Sequence, residues 1–325
     1  MRAVQLIAYG NPVEGLKYVD IPAPDAPGPN QVLIGVEFSP LNQSDLLLAR
    51  GIYGTRPALP TVIGNEGVGR VLAVGAGVAN VKVGDRVLAP LSSFTWRERM
   101  VISANGLFAL SADADPQQLS MLAINPPTAA LLLSEYVNLK PGDWVVQNSA
   151  NSAVGRWVIA FAKTRGLKTV NIVRWPELVP ELKAIGADVV VVDSSDVSES
   201  IKEAVGHTDL RLALDGVSGP ATGVLASTLS PHGTLVSYAA MSLGPMSISP
   251  LEVIFKPLTV RGFWLGHPEY ASKSAPAVAQ AAEMIASGRV RIPVTATYPL
   301  SSIKEALAHA LRGGKILLDV AGSSR

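Results

Sequence analysis

From about Pro116 onward the chain alternates strand and helix in units of similar length, and this alternation limits the possible folds more than any other feature. Short apolar runs rich in β-branched residues predict strands at Trp144–Asn148, Thr169–Arg174, Val189–Asp193, Leu210–Asp215, Thr234–Ala239 and Leu258–Trp264. Helical stretches fall between them at Val154–Arg165, Pro176–Ile185, Val197–Val205 and Ala221–Leu229, the second opening on a proline. Parallel strands cannot be joined by a tight hairpin and need a crossover each time, so repeated units of this kind predict a doubly wound parallel sheet. A long helical stretch, Leu119–Asn138, interrupted at Pro126-Pro127, precedes the sheet, and a helix over Ala275–Ile285 follows it.

The first third follows another pattern. Pro22, Pro24, Pro27, Gly28 and Pro29 punctuate it, and Gln31–Phe38, Val62–Val74 and Val81–Leu88 read as strands between glycine turns. That pattern predicts a small, barrel-like β domain. A helix over Ile303–Leu311 and a strand over Ile316–Val320 return to the same style at the end of the chain. With 325 residues there is room for two domains of ordinary size, expected over 1-118 with 290-325 and over 119-289.

Composition removes several function classes. The sequence contains no cysteine, and its four histidines, His207, His232, His267 and His309, are never closely spaced. Disulfides and thiolate-ligated metals are excluded, and no metal site is expected. Lys and Arg number 27 against 26 Asp and Glu, with no basic run, so neither nucleic acid nor a membrane surface is an expected partner. No apolar run suggests a membrane span, and Met1–Ile7 has neither a signal-peptide nor a transit-peptide layout, which gives a cytoplasmic expectation.

Cofactor chemistry is legible at two strand ends. In Val145–Gly155 a strand feeds a tight turn and then a helix, so that backbone N–H groups and the helix N-terminus can meet a pyrophosphate, although the standard G-x-G-x-x-G is missing. The second strand ends Asn171-Ile172-Val173-Arg174, with no acid to bind a ribose hydroxyl pair. A guanidinium there can take a 2′-phosphate bidentately, which points to NADPH.

Several strings, in order along nearly the whole chain, are similar to one family. They are Ser39–Asp45, Arg50–Gly54, Gly64-Asn65-Glu66-Gly67-Val68-Gly69, Thr95-Trp96-Arg97, Asn125–Ala129, Gln147–Arg156, Arg211–Asp215 and Arg261–Leu265. The chain resembles the mitochondrial-type 2-enoyl thioester reductases, a zinc-free branch of the medium-chain dehydrogenase/reductase superfamily. The resemblance implies an α/β protein with a GroES-like β-rich catalytic domain and a doubly wound parallel-sheet, or Rossmann, cofactor domain. It also implies NADPH-dependent reduction of the α,β double bond of an enoyl-CoA or enoyl-carrier-protein thioester, with hydride added at Cβ.

Tyr53, in the Tyr-Gly string, falls where that family has its proton donor to Cα. A phenol, ordinarily protonated at neutral pH, suits that task. By the same resemblance Asn125 approaches the nicotinamide, Asn151, Ser152, Ala153 and Val154 line the diphosphate turn, and Arg174 meets the 2′-phosphate. Tyr238, Ala239, Ala240 and Met241 with Phe263, Trp264 and Leu265 wall the nicotinamide and acyl pocket, and Lys315 lies near the cofactor. Asn65 stands where zinc relatives have a ligand histidine, and Glu66 reads as a structural carboxylate bonded to nearby backbone.

The chain departs from the family at Ala153, Trp157, Trp175 and Ser218, of which Ala153 and Ser218 replace usual glycines. The alternative enzyme is an NADPH quinone or alkenal reductase of the same superfamily; a non-catalytic dinucleotide-binding protein is the other class. The apolar strand Leu258–Trp264 is last in the sheet, so a homodimer paired through that edge is expected.

Overall fold

The computed structural model describes residues 1–324. The chain divides into two compact units, Met1–Ile124 with Val278–Arg325, and Asn125–Ala277.

The first unit opens with β1 (Arg2–Leu6), α1 (Pro12–Gly15), β2 (Leu16–Asp20), β3 (Gln31–Leu41) and α2 (Gln43–Arg50). It continues through β4 (Thr61–Val62), β5 (Val68–Val74), β6 (Arg86–Leu88), β7 (Arg99–Ser103) and α3 (Pro116–Leu119). The second unit runs α4 (Asn125–Leu132), β8 (Trp144–Gln147), α5 (Ala153–Thr164), β9 (Lys168–Val173), α6 (Leu178–Ala184) and β10 (Val189–Val192). It goes on with α7 (Val197–Val205), β11 (Leu210–Asp215), α8 (Pro220–Thr228), β12 (Thr234–Ser237), α9 (Pro250–Phe255) and β13 (Thr259–Gly262). Along α10 (Ser274–Ala286) the chain passes back to the first unit, which it completes with β14 (Ala296–Pro299), α11 (Ile303–Arg312) and β15 (Ile316–Asp319).

In the first unit the six strands of the larger sheet centre on β3, which pairs antiparallel with β5, β7 and β15; β14 and β6 complete it, and β2-β1-β4 form a second sheet. The period-two pattern in β3 puts Val32, Ile34 and Val36 into a core with Val71, Val87, Met100, Ile316 and Leu318. The long strands expected at Val62–Val74 and Val81–Leu88 are shorter. The first is broken by Ile63–Gly67, where Gly64 takes a positive φ of 108° with Trp96 packed so close that a Cβ would lie 2.4 Å from its ring. Helix α2, hidden among the turns of the sequence, is closed by Gly51 in the left-handed region at φ 77°.

The second unit has the predicted doubly wound sheet: six parallel strands in the order β10-β9-β8-β11-β12-β13. Winding reverses between β8 and β11, so the loops at the carboxyl ends of these two strands flank a switch point of the kind where open α/β sheets bind ligands. Of the long helix expected over Leu119–Asn138, only α4 forms, with turns on either side of it. Pro126 and Pro127 do not interrupt α4 but sit in its first turn, where a missing N–H costs nothing. Trp157 is fully buried in α5 and stacks on Phe161 with ring centroids 5.3 Å apart.

Candidate active site

In the first unit Tyr53 follows α2 after Gly51 and Ile52. Asn42 and Asp45 form a reciprocal capping box at the helix start, the Asn42 N–H donating to Asp45 Oδ2 at 2.8 Å. At the other end the Gly51 N–H donates to the Leu48 carbonyl and the Ile52 N–H to the Leu47 carbonyl. A side chain on Gly51 would press on the Tyr9 ring at 3.2 Å, so the sharp exit into Ile52-Tyr53-Gly54 depends on glycine. Tyr53 is half-buried against the core of this unit, and its neighbour Ile52 is exposed.

Beneath α2 lies a buried polar network. Glu66 Oε1 accepts from Asn42 Nδ2 at 2.8 Å, and Oε2 accepts from the backbone N–H groups of Ala123 and Ile124 at 3.0 Å each. Asp45 Oδ1 accepts from the Asn65 N–H at 3.0 Å. Lys315 Nζ donates to Asn42 Oδ1 at 2.8 Å, so in this unit its first partner is an asparagine. Burial pushes the Asp45 and Glu66 carboxyls up to about 7, offset in part by the Asn42 and Asn65 N–H groups at Asp45 and by Lys315 at both, and burial also pulls the Lys315 ammonium down. Glu66 is thus a structural carboxylate as expected, although the backbone it binds lies far away in sequence. Asn65 donates its side-chain amide to Ser44 Oγ at 3.1 Å. Among the described residues no group of three or more His, Cys, Asp or Glu side chains is placed to hold a metal ion.

In the second unit the turn after β8 runs from Ser149, with a positive φ of 50°, to Ser152, the N-cap of α5, whose Oγ accepts from the Gly155 N–H at 3.1 Å. A Cβ on Gly155 would fall 2.5 Å from the Ala150 carbonyl oxygen, so this position admits only glycine. Asn151 is exposed while Ser152, Ala153 and Val154 are half-buried. The N–H groups of Ala153 and Val154, at the start of α5, have no intrahelical partner, as at any helix N-terminus.

Across the switch point, the fully buried Asp215 at the end of β11 organises the facing loop. Its Oδ1 accepts from Asn148 Nδ2 at 2.7 Å and from the N–H groups of Val217 and Ser218 at 2.9 Å each. Its Oδ2 accepts from the Thr222 hydroxyl at 2.6 Å. This holds Ser218 and Gly219 at φ 67° and 66°, so Ser218 adopts the left-handed backbone that a glycine would take more easily.

The remaining expected residues separate. Tyr238, Ala239 and Ala240 are half-buried beyond β12, and Met241 is exposed, with its sulfur 3.7 Å from Ser149 Oγ. The Tyr238 hydroxyl makes no hydrogen bond of normal geometry; burial raises its pKa, and the nearby Ser152 side chain offsets part of that rise. Asn125, the buried first residue of α4, likewise has no partner for its side-chain Nδ2. Arg174, just beyond β9, is exposed and makes no ion pair among the described residues. Phe263 and Trp264 divide: Phe263 is core, 4.8 Å from the Tyr270 ring, whereas Trp264 is 37% exposed and Leu265 half-buried. Sequence reasoning missed the organising roles of Asp215, Asp45 and Asn42. The Asn42-to-Asp45 spacing was a readable capping signal, but nothing local marked Asp215 as a hub.

Comparison with known proteins agrees with this architecture. Residues 28–110 match the family model described as alcohol dehydrogenase GroES-like domain, and residues 153–283 match that described as zinc-binding dehydrogenase. These two domains define a medium-chain dehydrogenase/reductase, an oxidoreductase class. An enoyl-[acyl-carrier-protein] reductase, mitochondrial, from Caenorhabditis elegans is 40% identical over 262 residues, covering 79% of this chain and 75% of its own. The structure of Etr1p with NADP and crotonyl-CoA superposes with a TM-score of 0.88 at 26% identity, covering 98% of this chain and 99% of that one. A quinone oxidoreductase from Pseudomonas syringae superposes at 0.82 with 28% identity, covering 98% and 99%. The chain belongs to the enoyl-[acyl-carrier-protein] reductase family.

The cytoplasmic expectation is corrected by the same comparison, since the relatives from nematode, rat and human all carry the name mitochondrial. That expectation rested on the first few residues, and the packing requirements of a folded enzyme leave no mark of its compartment on those residues.

Proposed function

We propose that this enzyme reduces the α,β double bond of 2-enoyl thioesters with NADPH, Tyr53 delivering the proton to Cα. The observation that carries the reaction is the 40% identity to an enoyl-[acyl-carrier-protein] reductase. The likeness to Etr1p, solved in complex with NADP and crotonyl-CoA, supports the cofactor and the substrate class. The second unit fits the cofactor on its own evidence. Asn125 Nδ2 and the Tyr238 hydroxyl are buried polar groups without normal partners, and buried donors of this kind call for a ligand or water.

When bound, NADPH supplies a hydride to Cβ of the substrate. The residues of this chain then have three tasks. The free N–H groups of Ala153 and Val154 and the N-terminal dipole of α5 favour a diphosphate. Asn125, Tyr238, Ala239, Ala240 and Met241, with Trp264 and Leu265, orient the nicotinamide and acyl groups. Tyr53 O–H gives its proton to the substrate α-carbon as the enolate collapses, and the phenolate left behind is reprotonated from solvent. Lys315 acts through Asn42 to hold the start of α2, the helix that leads to Tyr53.

Oxidation of NADPH by crotonyl-CoA, followed at the nicotinamide absorbance band, tests the reading; turnover with quinones alone establishes the alternative suggested by the likeness to the quinone oxidoreductase. Running crotonyl-CoA against its carrier-protein thioester decides which carrier is used.

Arg174→Ala is expected to weaken NADPH about ten- to a hundredfold, the loss of a charge-assisted phosphate contact of about 1.5–3 kcal/mol, with little change for NADH. Fluorescence titration with both cofactors checks this, and equal losses would show Arg174 to be a solvated surface residue.

A homodimer is expected through the edge of the second unit's sheet. Every residue of β13 is exposed, and α9 presents Leu251, Ile254 and Phe255 at 60%, 64% and 75% exposure. Such an apolar helix face on the segment that leads into an open strand edge favours pairing across a two-fold axis. Light scattering at micromolar concentration should give twice the 34.0 kDa chain mass, and a single-chain mass counts against the dimer.

A further inference from the structure

Arg156 stands where electrostatics disfavours it. It is the fourth residue of α5, at the positive end of the helix dipole, and it is only 5% exposed. A guanidinium buried at a helix N-terminus is costly unless its bonds are strong and well directed. Both are present: Nε donates to the Asn151 carbonyl at 3.0 Å, and Nη2 donates to Glu181 Oε1 of α6 at 2.8 Å.

These two bonds join the turn after β8 to the segment that follows β9. Beneath them, Ala150 of the turn, Ile159 of α5, Val173 of β9 and Leu182 of α6 form one buried apolar cluster. The Ala150 N–H donates to the Ile172 carbonyl at 3.3 Å. Arg174 is the residue directly after Val173. The Arg156–Glu181 pair therefore spans from the turn read as the diphosphate site to the helix downstream of the residue read as the 2′-phosphate site. The bond to Asn151 also offsets the partial negative charge of a carbonyl in the turn that must accept an anion.

We propose that Arg156 is a positioning residue for the cofactor phosphates, acting through Glu181. The pair fixes the spacing of turn 149–152 from Arg174 and supplies the rigidity that the missing G-x-G-x-x-G turn does not. This rests on the NADPH reading above. It has a consequence that direct contact between Arg156 and phosphate does not have: removing the negative charge of Glu181 weakens cofactor binding, because the clamp is lost.

The test is fluorescence titration of folded wild-type enzyme, Arg156→Gln, Arg156→Lys, Glu181→Gln and the double variant Arg156→Gln/Glu181→Gln with NADPH and NADH. The NADPH Kd is expected to rise about tenfold in Arg156→Gln, one charge-assisted bond. In Glu181→Gln it should rise about threefold, as for a half-exposed ion pair. The double variant should bind no worse than Arg156→Gln alone, because both changes break one clamp. Lysine should rescue only in part, since a compact ammonium lacks the planar fork with which the guanidinium reaches both acceptors. The loss should be larger for NADPH than for NADH, with kcat at saturating cofactor within about twofold of wild type. An unchanged Kd in both single variants overturns the proposal, and so does tighter binding in Glu181→Gln, which would make Arg156 a direct phosphate ligand. Should Arg156→Gln not fold, the half-exposed Glu181→Gln and the milder Arg156→Lys still decide. No NADPH binding by the wild-type enzyme overturns this and the cofactor reading together, whereas normal wild-type binding with unaffected variants overturns this alone.

Discussion

Tyr53→Phe is expected to lower kcat on crotonyl-CoA by about 10²- to 10⁴-fold, the usual worth of a positioned general acid. The substitution removes one oxygen and keeps the ring that packs against the first unit's core, so folding and the NADPH Kd should change little. The loss arises because hydride addition leaves an enolate that needs its proton on a defined face, and bulk water is neither positioned nor acidic enough to match a phenol held by the Gly51 exit from α2. Single-turnover rates, which exclude slow product release, are the measurement to use. A wild-type rate in Tyr53→Phe would assign the proton to water or to another residue.

Asp215→Ala should destabilise the second unit by about 3–5 kcal/mol, the cost of stripping a buried hub from its donors. The side chain is fully buried, and its loss strands Asn148 Nδ2, the Thr222 hydroxyl and the N–H groups of Val217 and Ser218. A urea midpoint shifted at unchanged slope reads the effect, and a change below about 1 kcal/mol would mean that water replaces the carboxylate. Cofactor affinity should fall as well, since a Cβ at Gly216 would lie only 2.6 Å from the Tyr238 hydroxyl: the Asp215 loop and a residue read as a cofactor contact are packed together.

How much of this was legible beforehand depended on the range of each interaction. The six parallel strands could be read because a sheet covered on both faces leaves short continuous apolar runs, and the helices between the first five because burying one face imposes a 3.6-residue period; α9 (Pro250–Phe255), before the last strand, was missed. Helix α7 emerged with the expected bounds, Val197–Val205. The proline-opened start of α4 was misread, since a proline interrupting a helix and one beginning it differ only in where the first turn falls. Helix α2 escaped notice because it is a mere eight residues long and its apolar face is set among polar and turn-forming residues.

Sequence alone determined the alternating architecture, the lack of thiolate ligands, an arginine rather than an acid after β9, and the tyrosine-glycine string. Each is a property of residue type or of near neighbours along the chain. Only the tertiary structure decided that Phe263 packs in the core while Trp264 remains 37% exposed, because one residue's shift along a strand end reverses the face it presents. It alone showed that Lys315 bonds Asn42 across 273 positions, that Glu66 holds the backbone of Ala123 and Ile124, and that Arg156 reaches Glu181. Hydrogen bonds of that kind need angles and distances that hold to a few tenths of an ångström, and these come from how whole elements pack, which no local pattern of residues encodes.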